Sequence, residues 1–290
     1  MCVVCCKYIQ GTGWILAKNR DRNYKPNILI RKSFRRDIER LYIWDENTKY
    51  TEGVNQFGVA IISASVTVKD DEAEGSVAAR RNKKKLEIRN RTYYSPDGFR
   101  IRTALFEKNS TDATRKLIEL QIPGNTIIAD KNDCFLLEGA FTEDDEYVYK
   151  VIEVPRDRVA VRTNHGILLP WTGYNPEIPE QKESRESSDK RYDVVVKKLL
   201  HAKSIDEVID AISDTSNENP QLNPLRMDLR RGKMRTTGQI ILVPSEHTMH
   251  YRAIWSGTSF DLDKLNTNDN KTFFEIVSTR KLITFKEYFK

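Results

Sequence analysis

Short apolar runs separated by turn residues fill the first fifty positions of the chain. Val3 to Ile9, Trp14 to Ala17, Asn27 to Arg31 and Leu41 to Trp44 are rich in β-branched and aromatic residues, with "GTG" and "KPN" between them. This pattern predicts a β-rich opening. The run "FGVAIISASVTV", Phe57 to Val68, is almost continuously apolar, which suits a central strand covered on both faces. "FRIRTALFEKN" and "TDATRKLIELQI" then read as helices, the second opening on the capping-prone Ser110, Thr111 and Asp112. "NTIIAD", "CFLLEGAF", "EYVYKVIEV" and "RVAVRTN" predict a meander of strands, followed by a Pro-rich loop from Pro170 to Pro179. Asp189 to Ala202 and "SIDEVIDAISD" predict a helical pair, the latter with Ile205, Val208, Ile209 and Ile212 at helical spacing. "TTGQIILVPSE" and "HTMHYRAIWSG" return to strands, and neither a repeat nor a linker interrupts the series. Strands and helices in alternating blocks imply stacked layers in one α+β domain.

Composition changes this picture little. At 290 residues and 39% hydrophobic, the chain can bury a large core. Four cysteines, three of them within the first six residues, do not make a disulfide framework, and no apolar run reaches membrane-spanning length. The expectation is a soluble, reduced, cytoplasmic protein without a membrane partner. A charge of +6 from 48 basic and 42 acidic residues is a nearly balanced surface with local clusters. "AARRNKKKLEIRNR" carries seven basic residues against one acid and "LRMDLRRGKMR" five against one. Each reads first as a solvated face and second as a binder of phosphates or an acidic partner. Neither has the regular aromatic interleaving of a single-strand stacking platform, so nucleic acid is not the expected partner.

The crowded thiols open several readings. In a strand "VVCCKYI", Cys2, Val4 and Cys6 share one face while Val3, Cys5 and Lys7 share the other. Zinc would need further ligands at workable spacing, and among the four histidines only His247 and His250 lie close together; no metal and no cofactor is expected. Buried structural thiols are the ordinary fate of Cys5, Cys6 and Cys134. Cys2 differs by position. A small side chain there permits removal of Met1, after which one residue offers both a thiol and a free α-amine. The amine, with a pKa of about 7.7–8.0, can serve as general base, and the thiol, at about 8.5, is already partly ionised near neutral pH.

"MC", then "ILAKNRD", "GVNQFGVAI", "NTIIADKNDCFLLEG", "VRTNHGILLP" and "SDKR" resemble, in order across residues 2 to 191, the N-terminal-nucleophile hydrolases that include choloylglycine hydrolase, penicillin V acylase and the acyl-CoA:6-aminopenicillanic acid acyltransferases. The opening, with "NRDRNYKP", is also similar to cytoplasmic proteins named for an Asn-Arg-Asp-Glu motif near a Met-Cys start. The main resemblance implies a four-layer αββα sandwich over residues 2–290 after loss of Met1, with a charged insertion at about 69–95. It places Cys2 as nucleophile and Asp21 as the carboxylate that orients the N-terminal amine. It implies that Asn55 donates to the oxyanion and that Asn164 is a second polar group beside the nucleophile. Arg191, in the Ser-x-x-Arg pattern from Ser188, supports the site electrostatically, and His165 is a neighbour. Lys18 stands where choloylglycine hydrolases carry Arg and keeps the charge without the planar fork.

The implied reaction is hydrolysis of a linear N-acyl amide through a thioester acyl-enzyme, with a small-molecule substrate. The alternatives are acyl transfer at the same site and an inactive sandwich that binds through its basic clusters. Assembly as a homo-oligomer is left open. Cys2 is expected in an open cleft, with its thiolate favoured by Lys18 and Arg191.

Overall fold

The computed structural model describes residues 2–66, 86–88, 91–93, 96–142, 144, 146–262 and 283–285. Of the predicted insertion, strands β7 (Leu86–Ile88) and β8 (Arg91–Tyr93) pair with each other; the basic run from Arg80 to Lys85 lies outside the described residues.

The glycines of "GTG" fold the first two strands together. Gly11 and Gly13 sit at φ 87° and 92°, left-handed conformations open to a residue without Cβ. β1 (Cys2–Ile9) and β2 (Gly13–Arg22) therefore pair antiparallel with Cys2 opposite Arg20. They lie within a first sheet ordered β12 (Val159–Arg162), β1, β2, β13 (Arg235–Val243), β14 (Thr248–Ala253) and β16 (Ile283–Phe285). The second sheet is ordered β11 (Tyr147–Glu153), β10 (Cys134–Phe141), β9 (Gly124–Ala129), β6 (Ala60–Ala64), β5 (Thr51–Asn55), β4 (Ile38–Asp45), β3 (Asn27–Arg35) and β15 (Gly257–Leu262). Its pairs are antiparallel except β3 with β15. The apolar run beginning at Phe57 thus supplies β6, a central strand as expected.

Alternation along each strand sends one set of side chains between the sheets and the other outward. Val4, Leu16 and Ile240 of the first sheet meet Ile30, Ile43, Ile62 and Ile127 of the second in a core between them. Outside the first sheet, Val3, Cys5, Ile15 and Ala17 pack under Val195 and Leu199 of α3 (Pro179–Leu199) and Val208 and Ile212 of α4 (Ile205–Ile212). Outside the second, Tyr42, Ile61 and Ile128 pack under Ile101 and Ala104 of α1 (Pro96–Ala104) and Ala113 and Leu117 of α2 (Ser110–Glu119). The result is an αββα sandwich, as the resemblance implied.

Three local expectations are corrected. β12 does not continue the meander β9, β10, β11; it crosses to the first sheet and pairs with β1, Val4 opposite Arg162. α3 begins at Pro179, where proline at the first helical turn loses no hydrogen bond. The cap of α2 is Asn109, whose side chain accepts from the Asp112 N–H at 2.8 Å.

Candidate active site

Continuing the β1–β12 register past Arg162 sets Asn164 opposite Cys2. The Cys2 backbone nitrogen donates to Asn164 Oδ1 at 2.7 Å, and the Asn164 amide donates to Ser65 O at 2.5 Å just beyond β6. The Cys2 thiol points between the sheets with Val4 and Cys6. Arg22 Nη1 meets its Sγ at 3.8 Å. Burial pushes this thiol up, but nearby positive charges, Lys18 foremost and Arg22 among the lesser ones, outweigh it and hold the pKa down at about 7.

β2 carries charge on both faces. Toward the second sheet, Lys18 pairs with Glu52 and donates to Ser63 O at 2.5 Å, while Arg20 bridges Glu52 and Asp45, each at 3.0 Å. Toward α3, the fully buried Asp21 carboxylate lies 3.1 Å from Arg191 Nη1 and 3.8 Å from Arg226 Nη1. Thr236 donates its hydroxyl to the same carboxylate at 2.9 Å from beside a bulge between Thr236 and Gly238 of β13. Asp21 does not take the Cys2 nitrogen. That nitrogen lies in the plane of the sheet, where Asn164 reaches it, and Asp21 projects from the sheet to two guanidinium groups instead.

Helix α3 locks Asn164 in place. Ser188 Oγ accepts from the Asn164 N–H at 3.0 Å, and Arg191, one turn on and on the same face, reaches Asn164 Oδ1 at 3.4 Å. His165 sits beside this network, with Nδ1 2.8 Å from Ser188 Oγ and Nε2 3.4 Å from Asp189. Burial and the Arg185 charge pull its pKa down to about 4. The loop that follows is tied to the buried Glu138, whose carboxylate accepts from Arg162 Nε at 2.5 Å and from the N–H groups of Ile167, Leu168 and Leu169 at 3.0, 2.8 and 3.0 Å.

Asn55 is not brought to Cys2. Its amide donates to Leu105 O and Glu107 O at 3.1 and 2.7 Å, and its carbonyl oxygen accepts from the N–H groups of Phe57 and Val59. It lies on the face of β5 that meets the end of α1, opposite the face carrying Glu52. The expectation of an open cleft is also corrected: Cys2 is 4% exposed, because its side chain joins the core between the sheets. The residues that sequence reasoning missed are Arg22, Glu52, Arg226 and Thr236. Arg22 was readable, since positions 18, 20 and 22 of a strand share a face. Arg226 lay hidden in a run that reads as a solvated basic loop.

Cys5, Cys6 and Cys134 are fully buried, and burial pushes the thiols of Cys5 and Cys134 up. Among the described residues no group of three His, Cys, Asp or Glu side chains is placed to hold a metal. A cavity of about 910 Å³ opens between the first half of α3 and residues 218–234; Tyr174, Ser187 and Arg226 line it. Ser187 and Arg226 are hydrogen-bonded to each other, which joins that cavity to the Asp21 cluster.

No family model and no curated protein matches the chain. Among solved structures, a mutant of the conjugated bile acid hydrolase from Clostridium perfringens superposes with a TM-score of 0.51 at 11% identity, covering 99% of this chain and 97% of that one. A penicillin V acylase from Agrobacterium tumefaciens reaches 0.48 at 11% identity, over 87% and 82% of the two chains. At such identity the first likeness speaks for the fold alone. The chain shares the αββα sandwich of that bile acid hydrolase.

Proposed function

We propose that this chain is an N-terminal cysteine amidohydrolase: with Met1 removed, Cys2 cleaves a linear N-acyl amide through a thioester acyl-enzyme. The observation that carries this reading is that the nitrogen and the sulfur of residue two are both gripped by polar side chains, Asn164 Oδ1 at 2.7 Å and Arg22 Nη1 at 3.8 Å. A thiol held at about 7 supplies thiolate near neutral pH. The sandwich is shared with a conjugated bile acid hydrolase, and hydrolysis of a small conjugate fits the same arrangement.

The thiolate adds to the acyl carbon, forming the C–S bond. The α-ammonium of Cys2 gives its proton to the departing nitrogen as the C–N bond breaks. The amine, neutral again, then takes a proton from water as that water attacks the thioester, and the C–S bond breaks to release the acid. Asn164 fixes the amine for both transfers; Arg191 and Asp21, on the helix side, fix Asn164. Lys18 adds positive potential, and His165 acts through Ser188 as a neighbour of the network.

The test is intact mass followed by turnover of N-acyl amides, among them penicillin V and bile-salt conjugates. The active protein should lack Met1, and Cys2→Ala should abolish turnover while Cys5→Ala retains it. Full activity with Met1 in place, or in Cys2→Ala, would sink the reading.

A further inference from the structure

We infer that Arg22 is the catalytic cation that holds the Cys2 thiolate in this chain, and that Lys18, which the resemblance puts forward, serves as the counter-ion of Glu52. The inference deepens the proposed function and rests on its reading of Cys2 as nucleophile.

Three cations, Lys18, Arg20 and Arg22, line the inner face of β2, and their carboxylate partners there are Glu52 and Asp45. Lys18 is fully committed. It is 1% exposed, paired with Glu52, bonded to Ser63 O, and its ammonium lies 4.8 Å from the centre of the Tyr50 ring. Arg20 takes the second oxygen of Glu52 and the nearer approach to Asp45. Asp45 also accepts from the Asn47 and Thr48 N–H groups and the Tyr24 hydroxyl. Arg22 lies 3.9 Å from that crowded carboxylate, anchors itself on Asp21 O at 2.8 Å, and turns Nη1 to the sulfur. Three positive charges over two carboxylates leave one in excess, and Cys2 Sγ is the group that accepts it. The charge acting most strongly on Arg22 is Cys2 and the one acting most strongly on Lys18 is Glu52, whereas on the thiol itself Lys18 weighs more than Arg22; the inference therefore rests on contact, since it is an Arg22 nitrogen that reaches Sγ, at 3.8 Å. Arg22 is also the outermost of the three, with its side chain 17% exposed.

The experiment titrates the thiolate by its ultraviolet absorbance against pH in the full chain, with Cys2→Ser subtracted as blank. It needs neither substrate nor access of a reagent to the thiol. Wild type should show a midpoint near about 7. Arg22→Gln should move it upward by about one pH unit or more, the usual effect of losing an opposite charge at this range. Arg22→Lys should fall between the two, because it keeps the charge and loses the fork. The paired variant Lys18→Met with Glu52→Leu removes that ion pair without orphaning either charge, and should move the midpoint less than Arg22→Gln does. An unchanged midpoint in folded Arg22→Gln, or a larger movement in the paired variant, overturns the inference. If Arg22→Gln does not fold, Arg22→Lys decides, and a midpoint equal to wild type there overturns it. Turnover is scored separately. A shifted midpoint in a protein that hydrolyses no amide defeats the proposed function and leaves Arg22 as the thiolate's partner; an unshifted one in an active enzyme does the reverse.

Discussion

Replacing Asp21 by asparagine isolates the charge cluster on the helix side of β2. The carboxylate is buried with two guanidinium groups against it, at 3.1 and 3.8 Å, and a threonine hydroxyl at 2.9 Å. Asparagine keeps the shape and one acceptor, but leaves Arg191 and Arg226 facing each other without a negative partner. Breaking a buried pair from one side costs about 3–5 kcal/mol, and the retained acceptor returns about 1 kcal/mol, so a loss of about 3 kcal/mol is expected. In urea, with m of about 3 kcal/mol/M or somewhat more for a chain of this size, the midpoint should fall by up to about 1 M. Arg226→Met introduced into the Asp21→Asn background should recover part of the loss, because it removes one of the two opposed cations. A loss under about 1 kcal/mol for Asp21→Asn would mean that the arginines are satisfied without the carboxylate, against the range for a broken buried pair.

Limiting iodoacetamide near neutral pH should modify Cys2 ahead of Cys5, Cys6 and Cys134, since burial holds the Cys5 and Cys134 thiols neutral; peptide mapping that finds Cys5 labelled first in folded protein contradicts the assignment. His165 is held from its ordinary 6.5 down to about 4, so the unfolded chain binds the extra proton between those values. Its contribution to stability is complete above about 6.5 and is lost as pH falls toward about 4; denaturation followed through that window should fall more steeply for wild type than for His165→Gln, and equal slopes would refute it. Glu138→Gln should weaken the loop after Asn164, read as faster hydrogen exchange at Ile167, Leu168 and Leu169, whose N–H groups the carboxylate holds; unchanged protection there would show that the loop is ordered by other contacts.

Periodicity made the layers legible because most strands and helices here bury an apolar face. It failed where the buried face is polar. The first half of α3 carries no apolar repeat, since Gln181, Ser188 and Arg191 face a polar site, and the stripe becomes apolar only at Val195 and Leu199. The helix was therefore read as starting at Asp189, ten residues late. β12 shows a second limit. Its pattern is that of a strand, but nothing local says which sheet it joins. Asn55 shows a third: one residue along a strand is the difference between the site and the opposite face, and a motif does not carry that register. The resemblance puts forward Asn164, Arg191 and Lys18: Asn164 meets the Cys2 nitrogen, Arg191 meets Asn164, and the Lys18 charge acts on the Cys2 thiol. Their partners Glu52, Arg226 and Thr236 come from distant segments, which neither spacing nor motif connects.

The two faces of β2 meet in one electrostatic consequence. On the inner face three cations share Glu52 and Asp45; on the outer face Arg191 and Arg226 share Asp21. On the inner face the cations outnumber those two carboxylates by one, beside the first residue of β1; on the outer face Asp21 stands between two guanidinium groups, and Asp228 also acts on Arg226. Burial makes such charges expensive unless an anion answers them. On the inner side the answer is the Cys2 sulfur. On the outer side Asn164 Oδ1 receives Arg191 while it also receives the Cys2 nitrogen, so the amine is placed next to positive potential. That neighbourhood works against the ammonium, so the ammonium yields its proton readily to the departing nitrogen. A site arranged this way ionises the sulfur from one face and makes the α-ammonium a readier acid from the other, whereas a single cation on one side would have to serve both atoms from one direction. Arg191→Met should therefore raise the pKa of the processed α-amine and shift the alkaline limb of amide turnover to higher pH, while the thiolate midpoint, governed from the inner face, moves little. Equal movement of both would mean that the faces act as one field, and the division of labour argued from β2 would not stand.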